Sequence, residues 1–288
     1  MANTFKTLRH SDNVTTVEWI IDSVPATRWA LLRADVHWDN PKCNRELELR
    51  HLKEARDRDA AIIDAGDLFC AMQGKYDKRA DKSAVRPEHQ SGDYLDRLVT
   101  TAIDYYRPFS KQFAVIGYGN HESSIRNKHE TDLTERLVTG LNDRTGSTIA
   151  KGGYTGWVRF QFSNFGRRRP VLLWYMHGYG GGGQVTNDVI QAANRQVVYV
   201  ENADIMLTGH THDAWSMERV RVRLNKRFEA ERRTVQILKT ATYKDEYGQG
   251  SGGWHVETGK PPKPLGAWWI RFDITKDGVT YTPVRAGA

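Results

Sequence analysis

Five short motifs contain side chains that readily bind metal ions in proteins. In chain order they are an Asp-x-His triplet, a Gly-Asp pair, a Gly-Asn-His-Glu run, a His-Gly pair and a Gly-His-x-His run. A carboxylate can hold two divalent cations about 3.5 to 4 Å apart, while imidazoles and an amide oxygen complete their ligand shells. The motifs therefore predict a centre of two divalent metal ions held by side chains of these five motifs.

Each motif comes directly after a short apolar segment that is predicted to be a β-strand. These segments are residues 29–34, 60–64, 113–117, 171–176 and 203–207. Taken singly, a polar residue at the end of a strand more often forms a turn or a cap. Open α/β sheets, however, build their binding sites where loops leave the carboxyl ends of the strands. The recurrence of all five motifs at such ends therefore favours one shared site over chance.

Segments with helical composition and spacing alternate with these strands, which indicates an α/β fold. The predicted helices are residues 44–59, 92–107, 131–141 and 187–200. After the last motif the pattern becomes rich in strands, at residues 220–224, 234–238 and 268–274. Because there is neither an internal repeat nor a clear linker, we expect residues 1–288 to form one domain, with an inserted loop at 73–90 and a Gly- and Pro-rich loop at 242–264.

In type and order the five motifs resemble those of the calcineurin-like metallophosphoesterases, over residues 35–212. The resemblance implies an α/β/β/α sandwich of two mixed sheets flanked by helices. It also implies that His121 lies beside the ions without binding them, as a general acid or a transition-state contact. The resemblance further implies that Asp67 bridges the two ions. The first ion would also be held by Asp35, His37 and His212, and the second by Asn120, His177 and His210.

The activity implied by this resemblance is hydrolysis of a phosphate ester. Two ions would bind the phosphate oxygens and lower the pKa of a bridging water, so that hydroxide could attack phosphorus. His121, with an ordinary pKa of about 6.5, could then protonate the leaving oxygen. The mixture of imidazole, carboxylate and amide ligands suits Mn²⁺, which we favour, or Fe, Zn²⁺ and Ni²⁺, better than Ca²⁺.

Charge and aromatic residues favour a nucleotide or a nucleic acid as the phosphodiester substrate. The formal net charge of +7 attracts anionic partners. The loop at 242–264 carries Tyr243, Trp254 and His255, which are candidate substrate contacts because aromatic side chains stack on bases. Residues 243–269 also resemble uncharacterised phage or prophage phosphoesterases. The alternatives are a phosphomonoesterase that acts on a protein or a small molecule, and a non-catalytic phosphate-binding module.

The composition, with 39% hydrophobic and 27% charged residues, is that of a globular protein. No apolar run approaches the roughly 20 residues that a membrane helix needs. The first residues are polar and lack the features of a secretory signal, so we expect a cytoplasmic protein without a membrane span, in the host cytoplasm if it is phage-encoded. Cys43 and Cys70 are too few for a disulfide framework and are expected to be reduced.

Two further motifs have competing interpretations. Residues 178–183 satisfy the Gly-x-Gly-x-x-Gly pattern of dinucleotide-binding loops. Because His177 directly precedes them, we favour glycines that let the backbone pass close to the second ion and the substrate. The three arginines at 167–169 are followed by Pro170 and are expected first in a solvated hairpin turn, and only second in a phosphate clamp.

Overall fold

The computed structural model describes residues 5–71, 84–164, 167–180, 190–225, 227–248, 252 and 254–288. Most of the expected inserted loop at 73–90 and the end of the glycine run at 178–183 lie outside these ranges. In chain order the strands are β1 (Phe5–Ser11), β2 (Val14–Ile20), β3 (Ala26–Arg33), β4 (Ala61–Asp64), β5 (Phe113–Ile116), β6 (Ala150–Lys151), β7 (Thr155–Asn164), β8 (Arg167–Met176), β9 (Ile205–Thr208), β10 (Trp215–Leu224), β11 (Ala230–Lys239), β12 (Gly266–Ile274) and β13 (Val279–Gly287).

The strands form two mixed sheets. The seven-stranded sheet has the order β1-β2-β7-β8-β9-β11-β10, and the six-stranded sheet has the order β13-β12-β3-β4-β5-β6. In the second sheet β3, β4, β5 and β6 are parallel neighbours, and β12 runs antiparallel to β3. In the first sheet β8 and β9 are parallel. The predicted α/β fold with two mixed sheets flanked by helices is confirmed.

Within the described ranges, six α-helices accompany the sheets, and they are α1 (Arg45–Asp57), α2 (Tyr94–Tyr106), α3 (Asn120–His129), α4 (Leu133–Thr145), α5 (Ile190–Tyr199) and α6 (Trp254–Glu257). The first four pack on the outer face of the six-stranded sheet, where Leu52, Leu98, Ile125 and Leu137 share one core with Ile62. Helix α5 leads into a small core at Val200 on the outer face of the other sheet. In the described part of the chain, every helix falls short of the length and apolarity that crossing a membrane requires.

The core between the two sheets is rich in aromatic side chains. Trp19 stacks on Phe162 with ring centroids 5.3 Å apart, and Phe272 of the opposite sheet lies 5.0 Å from Phe162. Side chains of strand β3 alternate between two cores. Leu31 packs in the core between the sheet and the helices, while its neighbours Ala30 and Leu32 pack in the core between the two sheets. This alternation follows from the two-residue repeat of a strand.

A buried ion network joins the ends of two strands that precede the predicted ligands. Arg33 ends β3 and is fully buried, with its Nε 2.8 Å from Asp64 at the end of β4. Its Nη1 lies 2.9 Å from Glu48 of α1, which also accepts a hydrogen bond from the Tyr106 hydroxyl at 2.6 Å. Burial raises the pKa of Asp64 to about 6, although Arg33 opposes this shift. The guanidinium therefore compensates two carboxylates that solvent does not reach.

We expect Arg33→Met to lower the free energy of unfolding by about 3 to 5 kcal/mol, because it leaves two buried carboxylates without their cation. Urea unfolding followed by circular dichroism measures this change. The matched control is Arg97→Met, which removes a half-exposed arginine paired with Asp93. That variant should change the stability by no more than about 0.5 kcal/mol. Equal, small changes in both variants would show that the buried network does not stabilise the strand ends.

Candidate metal centre

The seven predicted ligands lie together just beyond the carboxyl ends of five strands. Asn120 is the first residue of α3, so its amide lies at the positive end of a helix. The remaining ligands occupy loops, and by preceding strand they are Asp35 and His37 after β3, Asp67 after β4, His177 after β8, and His210 and His212 after β9.

Five of these ligands have left-handed backbone conformations. Such conformations are uncommon for residues other than glycine and cost of order 1 to 3 kcal/mol each. Nine such residues occur in the described chain, so more than half of them belong to this one cluster. Strain of this kind persists where the surrounding structure enforces it, typically at functional sites. The five residues and their φ angles are Asp35 (54°), His37 (49°), Asp67 (53°), His210 (74°) and His212 (61°).

Asp35, His37 and His212 form the first group of ligand atoms, all within 4.8 Å of one another. The Nε2 atoms of His37 and His212 face each other at 3.2 Å. Asp35 Oδ1 is buried and accepts no hydrogen bond from the described residues. It lies 3.5 Å from His212 Nε2 and 4.0 Å from His37 Nε2. Ligands about 2.1 Å from a shared ion stand roughly 3 to 3.5 Å apart, so this donor set fits one divalent cation.

Asp67, His177 and His210 form the second group, again with ligand atoms within 4.8 Å of one another. His177 Nε2 lies 3.1 Å from Asp67 Oδ2 and 3.2 Å from Asn120 Oδ1. The same Asn120 oxygen lies 2.8 Å from His210 Nδ1. The two groups adjoin, because His177 Nε2 is also 3.8 Å from Asp35 Oδ1. Two carboxylates, an amide and imidazoles are ligands that Mn²⁺, Fe and Zn²⁺ accept.

Backbone hydrogen bonds fix both carboxylates. Asp35 Oδ2 accepts from the His210 amide at 2.8 Å, and Asp67 Oδ1 accepts from the His121 amide at 2.9 Å. Each carboxylate thus has one oxygen held by backbone and one directed at imidazole nitrogens. The buried carboxylate of Glu122 accepts from the amides of Asp67, Phe69 and Gly119 at 3.1, 2.8 and 2.8 Å. Glu122 therefore ties the loop after β4 to the start of α3.

Two motif glycines are required because the ligands approach the backbone closely. A Cβ on Gly119 would lie 2.1 Å from Asp67 Oδ1 and 2.7 Å from His177 Cε1. A Cβ on Gly209 would lie 2.5 Å from Asp35 Oδ2. These separations are shorter than carbon and oxygen atoms tolerate, so neither position has space for a side chain.

Electrostatic interactions within the cluster are strong. Burial alone would lower the pKa of His177, but the carboxylates of Asp67 and Asp35 raise it to about 9. Burial would raise the pKa of Asp67, yet His177 and His121 hold it well below its usual range. Burial and the nearby His121 lower the pKa of His37, which favours the neutral imidazole that binds metals. The interaction between His177 and Asp67 is therefore a strong charge pairing within the cluster, and metal binding at these residues would be pH-dependent.

His121 lies at the edge of both groups. Its Nε2 is 3.8 Å from Asp67 Oδ2, and its ring centroid is 4.9 Å from that of His37. Its Nδ1 donates a hydrogen bond to the carbonyl of Cys70 at 2.5 Å, which sets the orientation of the ring. The side chain is 14% exposed, so it is accessible to a ligand bound over the cluster.

The C-terminal loop borders the cluster, but one of its predicted contacts is wrong. Tyr243 is fully buried, and its hydroxyl lies 2.9 Å from His51 Nδ1, so its side chain cannot reach a substrate. The Tyr243 amide and the Thr242 hydroxyl instead donate to the Asp35 carbonyl. His255 does lie near the cluster, with its ring centroid 5.6 Å from that of His212. Trp254 is the first residue of α6, next to His255.

Two charged residues of this loop were given no role at the site by the sequence. Glu246 is buried, pairs with the Lys244 ammonium and accepts a hydrogen bond from the His255 amide at 2.5 Å. Lys244 contributes to the low pKa of His37, whose first cause is burial, so its charge acts on the first ligand group. No motif marks either residue. Their position depends on the loop being fastened to the Asp35 carbonyl.

Comparison with known proteins shows only distant likeness. The chain matches no protein-family model and no curated protein. Three solved structures that resemble it are each 12% identical and aligned over 89% of this chain. They are a Thermotoga maritima protein (98% of that chain, TM-score 0.32), a metallophosphoesterase from Sphaerobacter thermophilus (88%, 0.35) and a hypothetical protein from Thermus thermophilus (98%, 0.31). At these values the likeness carries no argument about function, which depends on the residues themselves.

We expect Asp67→Asn to lose bound Mn²⁺, because the substitution removes a charge next to both ligand groups. His121→Ala should retain its metal content. Dialysis against Mn²⁺ followed by elemental analysis measures the number of ions per chain, and Asp57→Asn, which changes an exposed carboxylate of α1, is the control. Wild-type metal content in Asp67→Asn would exclude Asp67 as a ligand. Loss of Mn²⁺ from His121→Ala would make His121 a ligand.

Proposed function

We propose that this chain is a metal-dependent phosphoesterase that hydrolyses phosphodiesters at a centre of two divalent ions. The observation that supports it best is the meeting of the two ligand groups, with Asp35 Oδ1 buried among imidazole nitrogens and without a hydrogen-bond donor in the described chain. An unpaired buried carboxylate oxygen is costly, and coordination to a cation would satisfy it. When bound, the ions would supply the positive charge that activates water and stabilises charge on the phosphate oxygens.

The ligand groups indicate which residues would hold each ion. Asp67 is proposed as the bridge, because its Oδ2 lies 3.1 Å from His177 Nε2 and its carbonyl accepts a hydrogen bond from the His37 amide at 3.0 Å. Mn²⁺ is our first choice, with Fe, Zn²⁺ or Ni²⁺ as alternatives of similar ligand preference. The proposed ligands are Asp35, His37 and His212 for the first ion, and Asn120, His177 and His210 for the second.

His121 is proposed to deliver a proton to the leaving oxygen. Its Nδ1 is already committed to the Cys70 carbonyl, so Nε2 is the atom that would hold and transfer the proton. The backbone of His121 is fixed as well, because its amide donates a hydrogen bond to Asp67 Oδ1 at the start of α3. Histidine is the side chain that most often acts as a general acid or base in enzymes. A general acid of this kind contributes typically 10²- to 10⁴-fold.

The loop beside His212 is proposed to bind the part of the substrate beyond the scissile phosphate. Lys244 and His255 lie on the side of the first ligand group, which gives this loop cationic and hydrogen-bonding groups. Trp254 adjoins His255 and is proposed to stack on a base. Together with the net charge of +7, these residues favour a nucleotide or a nucleic acid.

We expect faster hydrolysis of bis-p-nitrophenyl phosphate than of p-nitrophenyl phosphate when Mn²⁺ is bound. His121→Ala should reduce turnover of the better substrate by roughly 10² to 10⁴. Initial rates measured with Mn²⁺, Zn²⁺ and Ni²⁺ decide both points, and a chelator should abolish each rate. A preference for the monoester would instead indicate a phosphomonoesterase. Absence of hydrolysis with every metal would indicate a non-catalytic phosphate-binding module.

We expect Trp254→Ala to raise KM for a nucleotide phosphodiester roughly 5- to 150-fold, because stacking of one base is worth about 1 to 3 kcal/mol. Hydrolysis of bis-p-nitrophenyl phosphate, which has no base, should hardly change. Steady-state kinetics on both substrates measure the difference. Phe228→Ala is the control, since this side chain is 86% exposed in the turn between β10 and β11. Equal losses on both substrates would assign Trp254 to the fold or the metal site.

A further inference from the structure

A third group of ligand-type side chains adjoins the two that the motifs predicted. It consists of Cys70, His37 and His121, and the ligand atoms of all three lie within 4.8 Å of one another. Two imidazoles and a thiol form a donor set that differs in chemistry from the oxygen-containing groups beside it. Sulfur and imidazole ligands bind thiophilic divalent cations well, whereas Mg²⁺, Ca²⁺ and Mn²⁺ prefer oxygen.

Cys70 is held rigidly in this position. Its side chain is buried, and its amide donates to Asp39 Oδ1 at 2.5 Å while its carbonyl accepts from His121 Nδ1. Asn40 Nδ2 lies 3.2 Å from the sulfur and donates to it, so the sulfur is already used as an acceptor. Burial raises the pKa of the Cys70 thiol to about 12, so the thiol keeps its proton and is no reactive nucleophile when no cation is bound.

The second nitrogen of His37 lacks a partner in the described chain. The His37 side chain is only 2% exposed, and its Nδ1 has no hydrogen-bond partner among the described residues. Its other nitrogen already faces His212. Buried polar atoms normally have partners, and metal-binding histidines usually donate a hydrogen bond from the second nitrogen. When Nε2 of His37 serves the first ligand group, its Nδ1 therefore remains without a partner in the described chain.

We propose that Cys70, His37 and His121 form a site for a thiophilic divalent cation of the Zn²⁺ or Cd²⁺ class. Binding converts the thiol to a thiolate and releases its proton to water. The consequence for catalysis rests on the proposed function: an ion on His121 removes the proton donor, so thiophilic ions at this site inhibit hydrolysis. The binding itself does not depend on that function.

Cadmium titration of the metal-free full-length chain tests the site directly. A cadmium–thiolate bond gives a charge-transfer absorption in the ultraviolet, and the band should grow to saturation in the wild type. Cys43→Ser is the matched control, because Cys43 is also buried and free but belongs to none of the three groups. That variant should keep the band. Cys70→Ser should lose the band. Its affinity for Cd²⁺ should fall at least roughly 10- to 100-fold, because removal of a group that only orients a metal ligand already has an effect of that size.

Two further variants keep the test decisive. Cys70→Ala repeats it with a residue that cannot ligate, and circular dichroism identifies which Cys70 variant retains the wild-type fold. His121→Ala should weaken Cd²⁺ binding while the thiol remains. A band that persists without Cys70, or no band in the wild type, overturns the proposal. A band in a chain that hydrolyses no phosphate ester supports the cation site and refutes the proposed function, so the two failures are distinguishable.

Discussion

The buried carboxylates of Asp35 and Asp67 impose the constraint on which the rest of the site depends. Both lie at strand ends with almost no exposure, next to imidazoles that are also largely buried. Such charges are stable only when they are paired, hydrogen-bonded or bound to a metal. Backbone amides satisfy one oxygen of each, and the left-handed turns around them direct the other oxygen inward. A bound cation would compensate both carboxylates at once.

Much of the fold could be predicted because the central strands are short, apolar and followed by motif residues. Strands β3, β4, β5, β8 and β9 were found within a few residues of their bounds. The edge strand β1, whose residues are mostly exposed, was not predicted. Helix α3 was not predicted either, because it begins within the Gly-Asn-His-Glu motif and its remaining residues are largely polar. Edge strands and polar helices depend on tertiary contacts that local pattern does not contain.

The site was predictable as a set of residue types and not as a geometry. The motifs named the residues that meet at the strand ends, but Tyr243 shows the limit of that reasoning. An aromatic residue in a Gly- and Pro-rich loop suggests an exposed contact, yet its pairing with His51 of α1 buries it. Neither Cys70 nor Lys244 was predicted to be a site residue, because nothing in the local sequence marks them as one. Each acquires its place through long-range contacts, of Cys70 with Asn40 and of the Lys244 loop with Asp35, which no spacing along the chain reveals.

Anomalous X-ray diffraction from crystals grown with Mn²⁺ tests the central claim most directly, because it locates the ions without reference to activity. Two peaks are expected about 3.5 to 4 Å apart, the separation that a bridging carboxylate allows. One peak should lie among Asp35, His37 and His212, and the other among Asn120, His177 and His210, with Asp67 between them. A single peak away from these side chains, or no peak at saturating Mn²⁺, would contradict the claim.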